Sequence, residues 1–237
     1  MIDKIVTSVA DALAGTPDGA TVLIGGFGTA GIPNELIDGL IEQGARDLTV
    51  VNNNAGNGDT GLAALLKTGR VRKIICSFPR QADSHVFDKL YREGKIELEL
   101  VPQGNLAERL RAAGAGIGAF FCPTGFGTEL SKTRGQARET REINGKQYVL
   151  EYPISGDVAL IKAELGDRWG NLTYRKAARN FGPVMAMAAA RTIATVHEVV
   201  ELGSLDPEVI VTPGIFVHRV VRIERVVTQA GGFKKTA

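Results

Sequence analysis

The sequence is poor in cysteine, with two in 237 residues, and poor in tryptophan, with one. Cys76 and Cys122 lie far apart and form no CxxC pair, which argues against a disulfide-stapled scaffold and against a sulfur-ligated zinc site. The expectation is a cytoplasmic protein that holds no metal. Histidine is also scarce. His85, His197 and His218 show no ligand spacing and lie far in sequence from the most glycine-rich stretch, so each is expected to be structural or exposed. No long hydrophobic run occurs. The longest uncharged stretch, residues 112–128, contains five glycines and Pro123, which breaks it as a helix and leaves it short of a bilayer span. The first residues carry Asp3, Lys4 and Asp11 among apolar ones, so no signal-peptide core is expected. Neither sign of charge dominates: 28 Lys and Arg face 26 Asp and Glu, for a formal net charge of +2. Nucleic acid and anionic membrane are therefore not implied as partners.

What the chain has in excess is glycine, 29 residues, or about 12% against a usual figure of about 7%. Several of these punctuate a repeating pattern. Ile2, Ile5, Val6, Val9 and Leu13 fall at helical spacing before Gly15; Leu36, Ile37, Leu40 and Ile41 before Gly44; Leu62, Leu65 and Leu66 before Gly69; Val86, Phe87, Leu90 and Tyr91 before Gly94; Leu106 and Leu110 before Gly114. A glycine after the last periodic residue is a helix C-cap signal. Between these stripes lie short apolar runs at residues 21–24, 48–51, 73–77 and 96–101, which read as strands. Strands alternating with amphipathic helices predict an α/β fold, a largely parallel open sheet with helices on both faces. The second half is less regular. Residues 148–152, 158–162, 193–200 and 216–220 read as strands of a mixed C-terminal extension, and the polar residues 132–142 as a loop or hairpin insertion. No stretch is poor enough in apolar residues to be a linker, so residues 1–237 are expected to form a single domain.

The sharpest local feature is Asp18-Gly-Ala-Thr-Val-Leu-Ile-Gly25-Gly26-Phe27-Gly28-Thr29-Ala30-Gly31-Ile-Pro33, a strand running into a glycine-rich loop. Backbone N–H groups there can approach a ligand without a Cβ in the way. Gly26 to Gly31 formally match GxGxxG, but Pro33 places the helix start after the glycines, and the next strand ends in Asn52-Asn53-Asn54 instead of an acidic ribose ligand. In a parallel sheet the loops at the carboxyl ends of strands form the ligand crevice. The asparagine run and Pro102-Gln103-Gly104 occupy two such ends. The groups brought together are neutral donors, suited to an oxyanion or a thioester carbonyl and unable by themselves to transfer protons. The alternative is that residues 52–54 merely tolerate left-handed backbone in a turn and that Gln103 caps a helix. Gln81 belongs to a different loop and is expected to stand apart. Arg175, Lys176 and Arg179 form a basic cluster, read as a solvated face or a contact for an anion or partner. A stand-alone nucleotide-binding α/β domain remains open at this point.

The stretch DGATVLIGGFGTAGIP resembles the first signature of the class I coenzyme A transferases. NNAGNGDTGLAALL, VPQGNLAERLRAAGAGIGAFFCPTGFGTEL and DRWGNLTYRKAARNF resemble the alpha (A) subunits of the 3-oxoacid members, and the similarity covers roughly residues 4–225. SFPRQADSHVFD and GDRWGNLTYRKAARNFGPVMAMAA look nearest to the members acting on 3-oxoadipate, with acetoacetate-using enzymes the near alternative. The resemblance implies transfer of CoA from succinyl-CoA to a 3-oxo acid, preferably 3-oxoadipate, by a ping-pong route through a glutamyl thioester. No cofactor is implied, because the CoA thioester is a substrate. The family's glutamate lies in a B subunit, in a Ser-Glu-x-Gly context, and this chain has no Ser-Glu pair. The implied partner is therefore a B subunit, in a hetero-oligomer of two A and two B chains. By the same matching, Gly25, Gly26, Phe27, Gly28, Thr29, Ala30 and Gly31 fall on the CoA-binding segment. Asn53 and Gln103 fall on the positions that support the oxyanion and the reacting carboxylate.

Overall fold

The computed structural model describes residues 2–133 and 136–225. The chain opens with strand β1 (Ile5–Val6) and helix α1 (Val9–Leu13), then alternates β2 (Thr21–Ile24), α2 (Asn34–Gln43), β3 (Leu48–Val51), α3 (Leu62–Lys67), β4 (Val71–Cys76), α4 (His85–Arg92), β5 (Glu97–Leu100) and α5 (Gln103–Gly114). Three later strands, Gly156–Lys162, Ala189–Val196 and Arg219–Arg222, return to the same sheet. The eight strands run β1, 219–222, 189–196, 156–162, β2, β3, β4, β5. Every pairing among them is parallel. The second half thus lengthens the parallel sheet, and its antiparallel pairings form small separate sheets. The chain leaves β2 toward β3, β4 and β5 and later builds outward from its other side. The C-terminal end of β2 is therefore the point where the winding reverses and a ligand crevice opens.

Alternate residues of β2 face opposite layers, as the two-residue period of a strand requires. Val22 and Ile24 pack with Leu13, Leu36, Ile37, Leu40, Leu65, Leu66 and Phe87, so α1 to α4 cover one face. Leu23 packs with Leu106, Leu110 and Met185, so α5 and helix α6 (Gly182–Ala188) cover the other. Leu36, Ile37 and Leu40 are fully buried on α2, and each such side chain contributes roughly 2 kcal/mol relative to exposure. The helix ends where Gly44 adopts φ 93° and its N–H reaches the Leu40 carbonyl. Replacing Leu40 by Ala would open a cavity under α2 and cost on the order of 3 kcal/mol.

Several sequence expectations are corrected. Ile2, Ile5 and Val6 belong to no helix: Ile5 and Val6 pair with Val220 and Val221, and Ser8 then caps α1 by accepting from the Asp11 N–H. Pairing with the last strand of the sheet overrides the helical spacing. Gly114 is the last helical residue of α5, and the positive φ falls on Gly116. The run 193–200 is two strands, Ala189–Val196 and Glu198–Val200, the second pairing with Leu165–Asp167. Residues 216–220 begin as a 3-10 turn, Gly214–Phe216, and only Arg219–Arg222 is strand.

Within the polar stretch 132–142, Lys132–Thr133 pairs antiparallel with Gln136–Ala137, and Thr140–Ile143 pairs with Lys146–Glu151. Residues 134 and 135 lie outside the described residues. This antiparallel piece is pinned to α5 by buried Glu151. Its Oε1 accepts from Asn105 Nδ2 at 2.8 Å, and its Oε2 lies 2.5 Å from Arg138 Nη1. Arg109, one turn further along α5, donates to Glu99 of β5 at 3.0 Å. These contacts fix α5, and with it the helix start that carries Gln103.

Candidate active site

Four strand ends converge. After β2, Gly25 still pairs across the sheet, its N–H donating to the Leu160 carbonyl at 2.9 Å. The chain then reverses. Phe27 and Ala30 exchange both backbone hydrogen bonds at 3.0 Å around Gly28 and Thr29, and Gly28 holds φ 60°, the conformation that favours glycine at the first position of a two-residue turn. Gly26 (φ 123°) and Gly31 (φ 72°) are excluded from bearing side chains by packing. A Cβ at Gly26 would lie 2.2 Å from Ile32 Cδ1, and one at Gly31 would lie 2.8 Å from the Ala178 carbonyl oxygen. A Cβ at Gly28 would meet nothing within 4 Å. The exposed tip is therefore Phe27 to Ala30, and the N–H groups of Gly28 and Thr29 make no hydrogen bond among the described residues.

The three asparagines after β3 divide their work. Asn52 donates from Nδ2 to the Ile24 carbonyl at 2.6 Å and accepts the Asn54 N–H on Oδ1 at 2.9 Å. Asn54 accepts the Gly56 N–H. These two hold the loop as side-chain-bonded turns, and neither has positive φ. Asn53 does something else. Its Oδ1 accepts from Ser77 Oγ at 2.7 Å and from Gln103 Nε2 at 2.9 Å. With the oxygen doubly used, its Nδ2 keeps both protons free of any partner among the described residues. Gln103 is the first residue of α5 and makes no capping hydrogen bond there. Its amide is held by Asn53, so the helix-cap alternative does not describe it.

Phe27, Gly28, Asn53, Ser77, Phe78, Gln81 and Gln103 line one groove of about 460 Å³. Sequence reasoning misses Ser77 and misplaces Gln81. Ser77 directly follows β4, so the rule that picks out the other strand ends would have found it. Gln81 does not stand apart, because residues 77–81 fold back across the end of β3, where Ser77 and Phe78 both donate backbone N–H groups to the Asn53 carbonyl. The polar lining is entirely neutral. None of the three histidines lines the groove: His85 bonds to Asp83, and His218 Nδ1 accepts the Thr192 N–H. Burial pushes the Cys76 thiol up to about 12, so at neutral pH it is no thiolate nucleophile. The arrangement can donate hydrogen bonds to a carbonyl or carboxylate, and its one hydroxyl, Ser77, donates to the Asn53 amide oxygen, with no base in the lining to activate it as a nucleophile.

The family described as coenzyme A transferase matches residues 6–222. The A subunit of the 3-oxoadipate CoA-transferase of Pseudomonas putida is 69% identical over 223 residues, 94% of this chain and 95% of that protein. Its counterpart in the succinyl-CoA:3-ketoacid coenzyme A transferase of Helicobacter pylori strain J99 is 47% identical over 224 residues, 94% of each. Among solved structures, glutaconate coenzyme A-transferase from Acidaminococcus fermentans superposes with a TM-score of 0.81 at 23% identity, over 93% of this chain and 76% of that one. An acyl-CoA transferase from Escherichia coli O157:H7 gives 0.80 at 24% identity, over 93% of this chain and 47% of that one. The chain spans about half the length of that transferase, and both superpositions speak to the fold.

Proposed function

The chain belongs to the coenzyme A transferase family as an A subunit of the 3-oxoadipate/3-ketoacid type, and we propose that it supplies the donor half of an active site whose nucleophile comes from a B subunit. The observation that carries this reading is the neutral groove, in which Asn53 and Gln103 present amide donors beside a glycine loop, with no carboxylate, thiol or base in its lining. We propose succinyl-CoA and 3-oxoadipate as the substrates, on the strength of the similarity to the Pseudomonas putida protein. A cytoplasmic setting fits the two unpaired cysteines, Cys76 and Cys122. No resident cofactor enters the scheme, because coenzyme A is carried by the substrate.

The chemistry assigns this chain a stabilising part. A carboxylate of the partner attacks the succinyl carbonyl, and the electron pair of the C–S bond leaves with the CoA thiolate. The thiolate then attacks the partner's carbonyl in the resulting anhydride, releasing succinate and leaving the partner as a CoA thioester. The 3-oxo acid's carboxylate reverses the sequence and departs as its CoA ester. Each tetrahedral stage gathers charge on one oxygen. Asn53 Nδ2, and the Gln103 proton not used on Asn53, are the groups in this chain that would donate to it. Such preorganised donors act most strongly where charge develops, which raises turnover more than binding.

Purified chain should show no transfer from succinyl-CoA to 3-oxoadipate until a B subunit is added, and full turnover afterwards. Turnover by this chain alone would refute the division of labour. Hydrolysis or dinucleotide binding by the lone chain would favour the stand-alone domain instead.

A further inference from the structure

The basic residues Arg175, Lys176 and Arg179 play no part in the neutral groove, yet the fold sets them beside it. Lys176–Arg179 is a 3-10 turn, and the three cations are exposed. None of them makes an ion pair or a side-chain hydrogen bond among the described residues, whereas Lys162 is paired with Glu35. Asn180 ties the turn to the glycine loop by donating from Nδ2 to the Ala30 carbonyl at 3.0 Å and to the Ala177 carbonyl at 2.6 Å. The absent side chain of Gly31 lets the Ala178 backbone come into contact. Lys176 itself holds φ 51°, a left-handed conformation that costs a residue with a Cβ about 1 kcal/mol or more. A glycine there would relax the turn.

Phe27, Lys176, Ala177, Arg179 and Asn180 line a second groove, and Phe27 also lines the groove of Asn53 and Gln103. The two grooves therefore meet at the exposed ring of Phe27. We infer that the Lys176–Arg179 turn binds the phosphate groups of the acyl-CoA, with the pantetheine arm crossing Phe27 to bring the thioester to Asn53 and Gln103. This inference rests on the transferase reading. Lysine offers a compact charge and arginine a planar fork of donors, and phosphate oxygens suit both. A bound polyanion would also relieve the mutual repulsion of cations that make no ion pair among the described residues.

The test uses the enzyme reconstituted with its B subunit, with two donors: succinyl-CoA, or S-succinyl-pantetheine, which lacks every phosphate. Wild-type transfer from succinyl-CoA to 3-oxoadipate tests the transferase reading by itself. Lys176→Gly keeps the left-handed turn while deleting the charge, and Arg179→Gln keeps a polar side chain of similar reach. Each should lower kcat/KM for succinyl-CoA by about tenfold or more, chiefly through KM, as loss of a charge-assisted contact requires. The same variants should leave kcat/KM for S-succinyl-pantetheine unchanged. Arg46→Gln, at the opposite end of β3, should alter neither. Equal losses on both esters would overturn the inference. So would a loss that follows dissociation of the two subunits on a sizing column, because the turn would then be a contact for an acidic partner surface.

Discussion

Gln103 and Asn53 stand fifty residues apart in the sequence and meet at one hydrogen bond, Gln103 Nε2 donating to Asn53 Oδ1 at 2.9 Å. The bond orients both amides. It uses the Asn53 oxygen and so leaves the Asn53 nitrogen as donor, and it leaves one proton on Gln103 Nε2. Losing either side chain should remove stabilisation of the charged intermediate. A single such donor is worth about 3 kcal/mol, or roughly a hundredfold in rate. Gln103→Ala in the reconstituted enzyme should therefore lower kcat by about that factor with little change in KM for succinyl-CoA. Wild-type kcat with a lowered Tm would assign Gln103 to structure alone.

Ser77 lines the same groove and acts on this pair through its hydroxyl. Its hydroxyl fixes the Asn53 oxygen at 2.7 Å. Ser77→Ala should thus produce a smaller loss in kcat, roughly fivefold, in keeping with one neutral hydrogen bond of about 1 kcal/mol. Combining it with Asn53→Ala should add almost nothing, since Ser77 is a positioning residue working through Asn53. Fully additive losses in that double-mutant cycle would show that Ser77 has a separate role.

The glycine loop separates packing from ligand approach. Gly26→Ala drives a methyl group into Ile32 and should lower Tm measurably before any substrate is present. Gly28→Val meets open space, although its left-handed backbone costs on the order of 1 kcal/mol. The Gly28 variant should still assemble with the B subunit yet lose turnover, because the branched side chain fills the groove. Normal kinetics in an assembled Gly28→Val enzyme would reduce the loop to a turn.

At the β5 edge, burial opposes ionisation of Glu99, but hydrogen bonds and charge from Lys73 and Arg109 outweigh it and hold the carboxyl below its usual range. A lowered folded-state pKa contributes stability that is present above the unfolded value and is lost as pH falls through the folded one. The contribution of this pair to Tm should therefore hold down to the ordinary glutamate range near about pH 4 and be lost as the pH falls further, and Lys73→Met should shrink that acid-side drop. An unchanged acid limb in Lys73→Met would contradict the pairing.

The alternation of β2 to β5 with α2 to α5 was legible because each helix has an apolar stripe and most end at a left-handed glycine. Parallel strands buried on both faces also read as short apolar runs. Gly25 to Gly31, Asn53 and Gln103 were legible as strand-end residues, and their convergence follows from the parallel order of the sheet. The edge strand Ile5–Val6 was not legible. Among the described residues its only strand neighbour is Arg219–Arg222, more than two hundred residues later, and a two-residue strand is too short to show a period. Ser77 and Gln81 were hidden for a related reason, since residues 77–81 are drawn over β3 by backbone hydrogen bonds to Asn53. The place of Lys176 beside Phe27 depends on contacts of Asn180 with Ala30 across 150 residues, which no local pattern encodes.

The central claim is that this chain contributes donors and no nucleophile. Intact-mass measurement of both chains of the reconstituted enzyme, taken after mixing with succinyl-CoA and no acceptor acid, addresses it most directly. The B subunit should gain the mass of a CoA thioester while this chain gains none, with Gln103→Ala slowing formation of the adduct without moving it. A CoA adduct on this chain would contradict the account.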